Sequence, residues 1–372
     1  TAPWPTLHRH QEPPGATRSR RKPLTYHPRF IVYACASDDI DWRGAARELL
    51  ESREWPCVNS AVAAAVAGES ALPGDDHAAP ARKIKQPSPS AQRVTWKLNI
   101  AYHGPSFSGF AWQSAASKAT VEGCLQDAIR PLTDGKSQLQ LSCAGRTDAG
   151  VSALGQLVSF HAWPTIKEEA LSEAIAHASP VPGALRLINA RRITRSNYHA
   201  THSTTWRRYA YILPPLPTQT ADDIANEASR LDELLQPLSG TTRCYAALGR
   251  SVPEGKETRM LLRHASARLV ELPDNMLATR VDLVGDRFLR RQVRTLVATA
   301  VAAASGHLDD DSPTSLLKAC TSGRQELTAH PAPAEGLVFV AAGTDDELDL
   351  TWLSDSERDD LRAASASVDD DK

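Results

Sequence analysis

Cys143-Ala-Gly-Arg-Thr-Asp-Ala-Gly-Val151 is the stretch on which the interpretation of this 372-residue chain depends. It follows a predicted strand and runs into a polar turn, where a single acid, Asp148, lies between two glycines. Because glycine permits tight backbone turns, a carboxylate on such a loop can be presented to a group outside the sheet. The residues alone also fit an ordinary turn in which Asp148 hydrogen-bonds its own backbone. Both interpretations stay open at this point.

Alternating apolar and polar residues around this turn predict a mixed α and β fold. Residues 94–102 alternate with period two, as in a half-buried strand, and residues 121–132 keep helical spacing behind Thr120 as a cap. Two series of similar elements predict an α+β fold duplicated in two halves, which we place at 93–216 and 217–344. The other predicted elements of the first series are strands at 138–144, 156–163 and 206–213 and a helix at 168–178; those of the second are a helix at 222–238, strands at 266–271 and 277–284, a long helix from Phe288 and a strand at 336–342.

Composition excludes several classes of protein. With 41% hydrophobic residues and a formal net charge of -2, the chain is too apolar to be disordered. Its longest uncharged apolar runs, 61–68 and 295–306, are shorter than the roughly 18 to 20 residues that span a bilayer, which excludes a membrane protein. The six cysteines form no Cys-x-x-Cys pair, so they predict reduced thiols in an intracellular protein without a structural zinc site.

The two ends of the chain carry opposite charge and are predicted to lie outside the folded halves. Residues 1–92 are rich in Pro, Ala and charge, have only a short predicted helix at 41–52, and are predicted to be a basic extension that ends in a linker at 83–90. The Arg-rich, acid-poor start fits either targeting to a mitochondrion or other organelle, or an arm laid along RNA. The acidic tail, 345–372, fits a solvated end or an interaction tail.

Gly145-Arg-Thr-Asp-Ala-Gly-Val151 resembles the catalytic loop of the TruA-type pseudouridine synthases. Further stretches resemble that family's motifs and follow in the family's order. They are 100–113, 120–123, 155–160, 198–200, 206–212, 288–294 and 335–337. The resemblance covers residues 94–343 and leaves both charged ends outside.

This resemblance implies a chemistry, a fold and partners. It implies that a specific uridine in structured RNA is isomerised to pseudouridine without a metal, nucleotide or redox cofactor. Asp148 would be the nucleophile, Arg294 the cation that holds its geometry, and Tyr209 the ring that packs on the base. The implied architecture is a central antiparallel sheet built from both halves, with helices on its faces and an RNA-binding cleft between the halves, commonly in a homodimer. A uridine in folded RNA must be flipped out to reach such a carboxylate.

Contacts to the RNA backbone require a positive cleft, although the whole chain is close to neutral. On the predicted strand, Arg207 and Tyr209 share one face, which would combine stacking with phosphate contacts. Arg146, two residues before Asp148, fits either a phosphate contact or a residue that stabilises the turn. The full set of candidate RNA contacts is Arg146, Arg207, Arg208, Arg287, Phe288, Arg290, Arg291 and Leu337.

The long helix predicted from Phe288 carries part of this set. Arg287, Arg291 and Arg294 are spaced i, i+4 and i+7, so a helix would place them along one side. Arg290 and Arg291 also fit a solvated basic stripe without a function. The helix is therefore predicted to present arginines to the cleft.

Three positions depart from the family's usual pattern. Ser152 stands where His is usual, Thr295 where Asn is usual, and His103 where Asp is common. The connection after residue 213 is also short, in a region that contributes to the family's RNA-facing surface and dimer. Three hypotheses remain. The first is a pseudouridine synthase acting on tRNA, and the second is the same chemistry on ribosomal or other structured RNA, with the arm and acidic tail as added contacts. The third is a non-catalytic RNA-binding assembly factor that uses the fold to hold an RNA or ribosomal precursor. A ribosomal precursor or another protein partner would bind through the arm and tail.

Overall fold

The computed structural model describes residues 41–75, 94–114, 118–133, 139–163, 165–193, 198–308 and 313–345. The predicted linker, most of the basic extension and the acidic tail after residue 345 lie outside the described residues. Organelle targeting, the arm on RNA and the interaction tail therefore stay predictions. None of the helices in the described ranges is long and apolar enough to cross a membrane.

The described residues form eight α-helices and nine β-strands, numbered in chain order. The helices are α1 Trp42–Glu51, α2 Trp55–Ala67, α3 Val121–Ile129, α4 Glu168–His177, α5 Ala200–Ser203, α6 Ala221–Leu235, α7 Gln292–Ala304 and α8 Pro313–Thr321. The strands are β1 Val94–Tyr102, β2 Ser142–Cys143, β3 Ser152–Ala162, β4 Leu185–Ile193, β5 Trp206–Leu213, β6 Thr241–Cys244, β7 Arg259–Leu272, β8 Met276–Gly285 and β9 Leu337–Gly343.

All nine strands belong to one sheet, and its order reveals a duplication. The sheet runs β4-β1-β3-β9-β5-β8-β7-β6, with β2 paired to β3 beside this path. The first repeat, β1-α3-β2-β3-α4-β4, and the second, β5-α6-β7-β8-α7-β9, share one topology, because both place the first strand between the last and the third. The parallel pair β3 and β9 joins the repeats, and the other pairings are antiparallel. The predicted duplicated α+β fold is confirmed.

The boundary between the repeats differs from the predicted one at 216/217. Strand β5 lies between β8 and β9 in the sheet and is the first strand of the second repeat. The repeats therefore divide between β4 and β5, ahead of Trp206. The sequence could not reveal this, because the partners of β5 in the sheet lie more than 60 residues away along the chain.

The helices of both repeats cover one face of the sheet. Trp96, Leu98 and Ile100 alternate along β1 and point into this main core, where Leu125 of α3 and Leu171 of α4 are also buried. Helix α3 begins where predicted because Thr120 accepts a hydrogen bond from the Gly123 amide. The period-two and helical patterns of the sequence thus describe this side of the molecule correctly.

The opposite face of the sheet is covered by α2. Its valines, including Val58 and Val62, contact Ala101 of β1, Ala210 of β5 and Val338 of β9 in a second apolar cluster. Residues 41–75 are therefore folded onto the sheet, and the prediction of a mere extension over 1–92 is wrong for this part. The prediction failed because α2 is rich in Ala and Val around much of its circumference and has no clear period.

Buried ion pairs fasten residues 41–75 to the sheet. Arg53, in the turn between α1 and α2, donates to the Pro214 carbonyl and pairs with Glu227 at 2.5 Å. At the other end of the segment, the Asp75 carboxylate lies 2.9 Å from Arg208 and 3.0 Å from Arg280. Both connections join the segment to the second repeat.

The long helix starts later than predicted. It begins at Gln292, and Arg291 before it has a left-handed backbone with φ 61°. Arg287 and Arg290 therefore lie in the turn ahead of α7, so the predicted i, i+4, i+7 row of arginines does not form. A run of alternating arginine and apolar residues fits a turn as well as a helix, which is why the pattern misled. The predicted strand at 138–144 likewise shrinks to the two residues of β2.

Candidate active site

The turn that carries Asp148 is fixed by a buried hydrogen-bond network. The Thr147 hydroxyl is 2.7 Å from the Tyr102 hydroxyl, and the Thr147 carbonyl accepts from the Phe110 amide. Gln156 donates to the Gly145 carbonyl at 2.6 Å. Because these partners come from the core strands β1 and β3 and from the loop after β1, they hold the turn rigidly at the end of these strands.

Two glycines let other segments approach this turn closely. Gly150 has φ 83°, and a Cβ there would lie 2.9 Å from the Cβ of Ala334. A Cβ at Gly145 would lie 3.3 Å from the Phe339 ring and 3.4 Å from the Tyr209 hydroxyl. The glycines of the motif are thus needed for contact with β5, β9 and the residues before β9.

Asp148 and Arg294, the predicted nucleophile and its cation, are in contact. The Nη1 of Arg294 lies 3.3 Å from the Oδ2 of Asp148. The carboxylate side chain is 26% exposed and the guanidinium 15%, so the pair sits in a recess that is open on one side. A carboxylate held by one cation and still accessible can attack a bound ligand.

Arg294 is itself held by the segment before β9. Its Nε donates to the Ala332 carbonyl at 2.6 Å, and the Ala332 amide donates back to the Arg294 carbonyl. The Tyr211 hydroxyl donates to the next carbonyl, that of Pro333, at 2.9 Å. Trp55 of α2 packs edge-on against the Tyr211 ring. The geometry of the Asp148–Arg294 pair therefore depends on residues 332–333 and on their supports.

Tyr209 lies in the wall of the same recess. Its ring packs edge-on against Phe288 and Phe339, each with a centroid distance of 5.0 Å. Burial, with smaller contributions from neighbours that include Asp148, raises the pKa of the Tyr209 phenol well above its usual range. The phenol is therefore protonated at neutral pH, which suits packing and hydrogen-bond donation better than the role of a base.

Two of the predicted RNA-binding arginines are buried in the protein instead. Arg207 donates to the carbonyls of Ala144, Thr201, Thr204 and Asp286, and burial lowers the pKa of its guanidinium. It ties the strand before the catalytic turn to β5 and to the turn after β8. The prediction that Arg207 binds RNA is corrected, because its donors are used within the fold.

Arg208 points to the opposite face of the sheet, as the alternation of a strand requires. It bonds to Asp282 and Asp75 in the buried cluster under residues 41–75. The prediction for Arg208 is corrected as well. Neighbouring arginines on one strand are indistinguishable in the sequence, and only the distant acids decide their role.

The other predicted RNA contacts, except Leu337, lie where a ligand could reach them or where they line the recess; the prediction for Leu337 is corrected, because it is buried in the core. Arg146, Arg287, Arg290 and Arg291 are exposed, Phe288 is half-buried against Tyr209, and Leu337 is 6% exposed in the core. Leu337 is therefore an apolar part of the site's support at the start of β9. Within the described ranges, no three His, Cys, Asp or Glu side chains come together as a metal site.

The supporting role of several residues was not predicted from the sequence. Ser152, which replaces the family's usual His, accepts a hydrogen bond from the Gly104 amide at 2.9 Å and joins the loop after β1 to β3. Gln156 and Tyr211 were seen only as strand residues. A polar residue in an otherwise apolar strand was the available signal for Gln156, since buried polar groups need partners.

Comparison with known proteins places this geometry in a family. A family model described as tRNA pseudouridine synthase matches residues 242–345, which include Arg294. A tRNA pseudouridine synthase A of Streptomyces avermitilis is 30% identical over 264 residues, covering 67% of this chain and 88% of the relative. The enzyme of that name from a Synechococcus strain is 30% identical and covers 68% and 84%; that of Lacticaseibacillus casei is 28% identical and covers 65% and 96%.

The duplicated α+β fold, the carboxylate held by an arginine and these relatives define the class of protein as a pseudouridine synthase, an isomerase. Within that class, the chain belongs to the TruA-type family.

Proposed function

We propose that this chain isomerises a uridine in tRNA to pseudouridine, with Asp148 as the nucleophile. The observation that carries the proposal is the contact between the accessible Asp148 carboxylate and Arg294 on a turn fixed from β1 and β3. The choice of tRNA rests on the names of the relatives, each of which is a tRNA pseudouridine synthase A.

The reaction conserves every atom of the uridine. The bond between N1 of the base and C1′ of the ribose breaks, the base turns, and a bond forms between C5 and C1′. C5 loses its proton and N1 gains one, so no oxidant, reductant or second substrate is consumed. An ionised carboxylate can add covalently to the ribose or to the base and leave again, which divides one difficult step into two easier ones.

Each group of the recess has a role in these reaction steps. Arg294 holds the carboxylate in its attacking position, and its fixed fork is anchored at Ala332. Tyr209 packs against the base and keeps its proton, because burial raises the pKa of the phenol. The apolar walls of Phe288 and Phe339 limit the water that could intercept the detached base.

The target nucleotide must leave its stack to enter this recess. Flipping costs roughly a few kcal/mol and is offset by stacking and by contacts to the backbone. The exposed arginines around the recess, Arg146, Arg287, Arg290 and Arg291, supply such contacts. They replace the wider set that includes Arg207 and Arg208.

The test uses purified protein and unmodified transcripts of tRNA and ribosomal RNA, with pseudouridine mapped at single-nucleotide resolution. We expect product in tRNA with the wild type and none with Asp148→Asn or Asp148→Ala. Asp127→Asn, an exposed change on α3, controls for loss of a carboxylate and should act like the wild type.

Each other outcome decides against part of the proposal. Product in ribosomal RNA alone would keep the chemistry and overturn the tRNA assignment. Activity retained by both Asp148 variants would overturn the role of the carboxylate. RNA binding without product in either RNA class would favour the non-catalytic assembly factor.

A further inference from the structure

Helix α1 places two arginines beside the basic turn that precedes α7. Ala46 and Leu50 are buried as α1 packs against α7, and Arg43 and Arg47 lie one turn apart on its flank. The resemblance to the family starts at residue 94, so these arginines belong to the part of this chain that the resemblance does not cover.

The surface next to α1 is built by a fixed loop. The Arg250 amide donates to the Arg290 carbonyl at 3.0 Å. The Arg250 guanidinium donates to the Thr328 hydroxyl and to the Ala329 carbonyl, each at 2.9 Å. His330 follows in the same loop and is exposed. The loop is therefore preorganised, with cations on either side of it.

The pKa shifts of His330 and Arg250 agree with the packing of α1 against α7, which brings the two arginines of α1 toward this loop. The pKa of His330 is lowered by partial burial and then by Arg43, Arg250 and Arg47. The pKa of Arg250 is lowered by burial and then by Arg43 and Arg291. A group of cations that destabilises additional positive charge is a surface that attracts an anion.

Acids only partly balance these cations. Asp41 acts on His330, Glu326 lies near Arg43, and Glu51 pairs with Arg47 at 2.7 Å on the exposed flank of α1. The Nε of Arg43 is buried and has no hydrogen-bond partner within the described part of the chain. Because this Nε is buried, it is not itself a contact for RNA; the four arginines outnumber the three acids, and this excess of positive charge favours a polyanion on the surface.

We propose that Arg43 and Arg47 of α1, together with Arg250, Arg291 and His330, form a binding surface for the phosphates of the RNA substrate. The inference rests on the proposed function, because it assumes that the polyanion is RNA. The same loop that carries His330 continues to Ala332, which holds Arg294. An RNA whose uridine lies at Asp148 can thus extend its backbone past this loop and onto α1.

The test measures the affinity for an unmodified tRNA transcript between 50 and 200 mM salt. The slope of log K against log salt is negative, and each lost phosphate contact reduces its magnitude by about 0.7–0.9. Arg43→Gln/Arg47→Gln should therefore reduce the magnitude of the slope by about 1.4–1.8. Across this fourfold salt range the wild type should lose roughly 7- to 12-fold more affinity than the variant. The turnover number at saturating RNA should stay unchanged, because neither arginine lies in the recess.

The control removes the same two charges elsewhere. Arg130→Gln/Arg230→Gln changes the residue that follows α3 and a partly exposed residue of α6, where Arg230 pairs locally with Glu233 as Arg47 does with Glu51. It should leave the slope unchanged. Arg47→Gln alone, at a side chain 64% exposed, should reduce the magnitude of the slope by about 0.7–0.9 and avoids any folding defect from the partly buried Arg43.

The outcomes separate this surface from the proposed function. Wild-type turnover combined with an unchanged slope in both α1 variants, or with an equal change in the control, would overturn the surface alone. Absence of product with the wild type would overturn the proposed function. A slope of smaller magnitude in the α1 variants would even then support the surface, since binding is measured without turnover.

Discussion

Asp75→Asn should destabilise the protein strongly although it changes a single oxygen to an amide group. The Asp75 carboxylate, 13% exposed, contacts Arg208 and Arg280, and Arg280 is fully buried. Asp282 is then the acid that the described part of the chain still places among the guanidinium groups of Arg208, Arg268 and Arg280. The variant thus leaves buried positive charge without its second anion.

The magnitude follows from the burial of the cluster. Removing one partner of a buried ion pair costs about 3–5 kcal/mol, because the remaining charge stays desolvated. Here Asp282 still compensates part of the charge and Asp75 is partly exposed, so we expect about 2–3 kcal/mol. For a protein of this size such a loss lowers the melting temperature on the order of 3–5 °C.

The assay is thermal unfolding at pH 7, with Asp41→Asn as the matched control. Asp41 is in the same segment and caps α1 through the Gly44 amide, and Asn caps a helix about as well as Asp. The control removes one charge at an exposed site and should shift the midpoint by less than about 2 °C. Equal shifts in the two variants would refute the buried-charge argument and reduce Asp75 to a surface residue.

Two further predictions concern single side chains of the neighbouring strands β8 and β5. Burial by itself raises the pKa of Asp282, but the surrounding guanidinium groups, that of Arg280 above all, pull this pKa well below the usual range. The contribution of Asp282 to stability should therefore be complete above about pH 4 and fall as the pH drops below that value. Unfolding midpoints measured from pH 7 to pH 2 test this, and a flat profile would contradict it. Tyr211→Phe removes the hydrogen bond to Pro333 and should cost about 1 kcal/mol of stability. It should also lower kcat severalfold with little change in KM, because Pro333 follows the residue that holds Arg294. An unchanged kcat would contradict a positioning role for Tyr211.

Local patterns predicted the elements that are amphipathic or sharply ended. Strand β5 has the predicted bounds because it is buried along its whole length and Pro214 and Pro215 follow it. The start of α7 was missed because the left-handed Arg291 is not encoded in any periodic signal. Helix α2 was missed because its burial depends on a sheet face assembled from both repeats.

The site was predictable where a motif carried it and unpredictable where tertiary contacts decide. The resemblance singled out Asp148 and Arg294, which the structure brings into contact. It could not separate Arg207 from Arg290, since both are arginines in matching motifs. The separation depends on carbonyl groups of Ala144 and Thr201, which occupy the donors of Arg207.

The contacts that hold the Asp148–Arg294 pair extend beyond the region that resembles the family. Asp148 is held by Arg294, Arg294 by Ala332, and the neighbouring Pro333 by Tyr211. Tyr211 is in turn packed by Trp55 of α2, a helix that also covers the second face of the sheet. Because packed side chains transmit small displacements, the position of α2 bears on the geometry of the carboxylate. Residues 41–75 therefore belong to the structural unit that supports the site, although the resemblance that identifies the chain begins at residue 94.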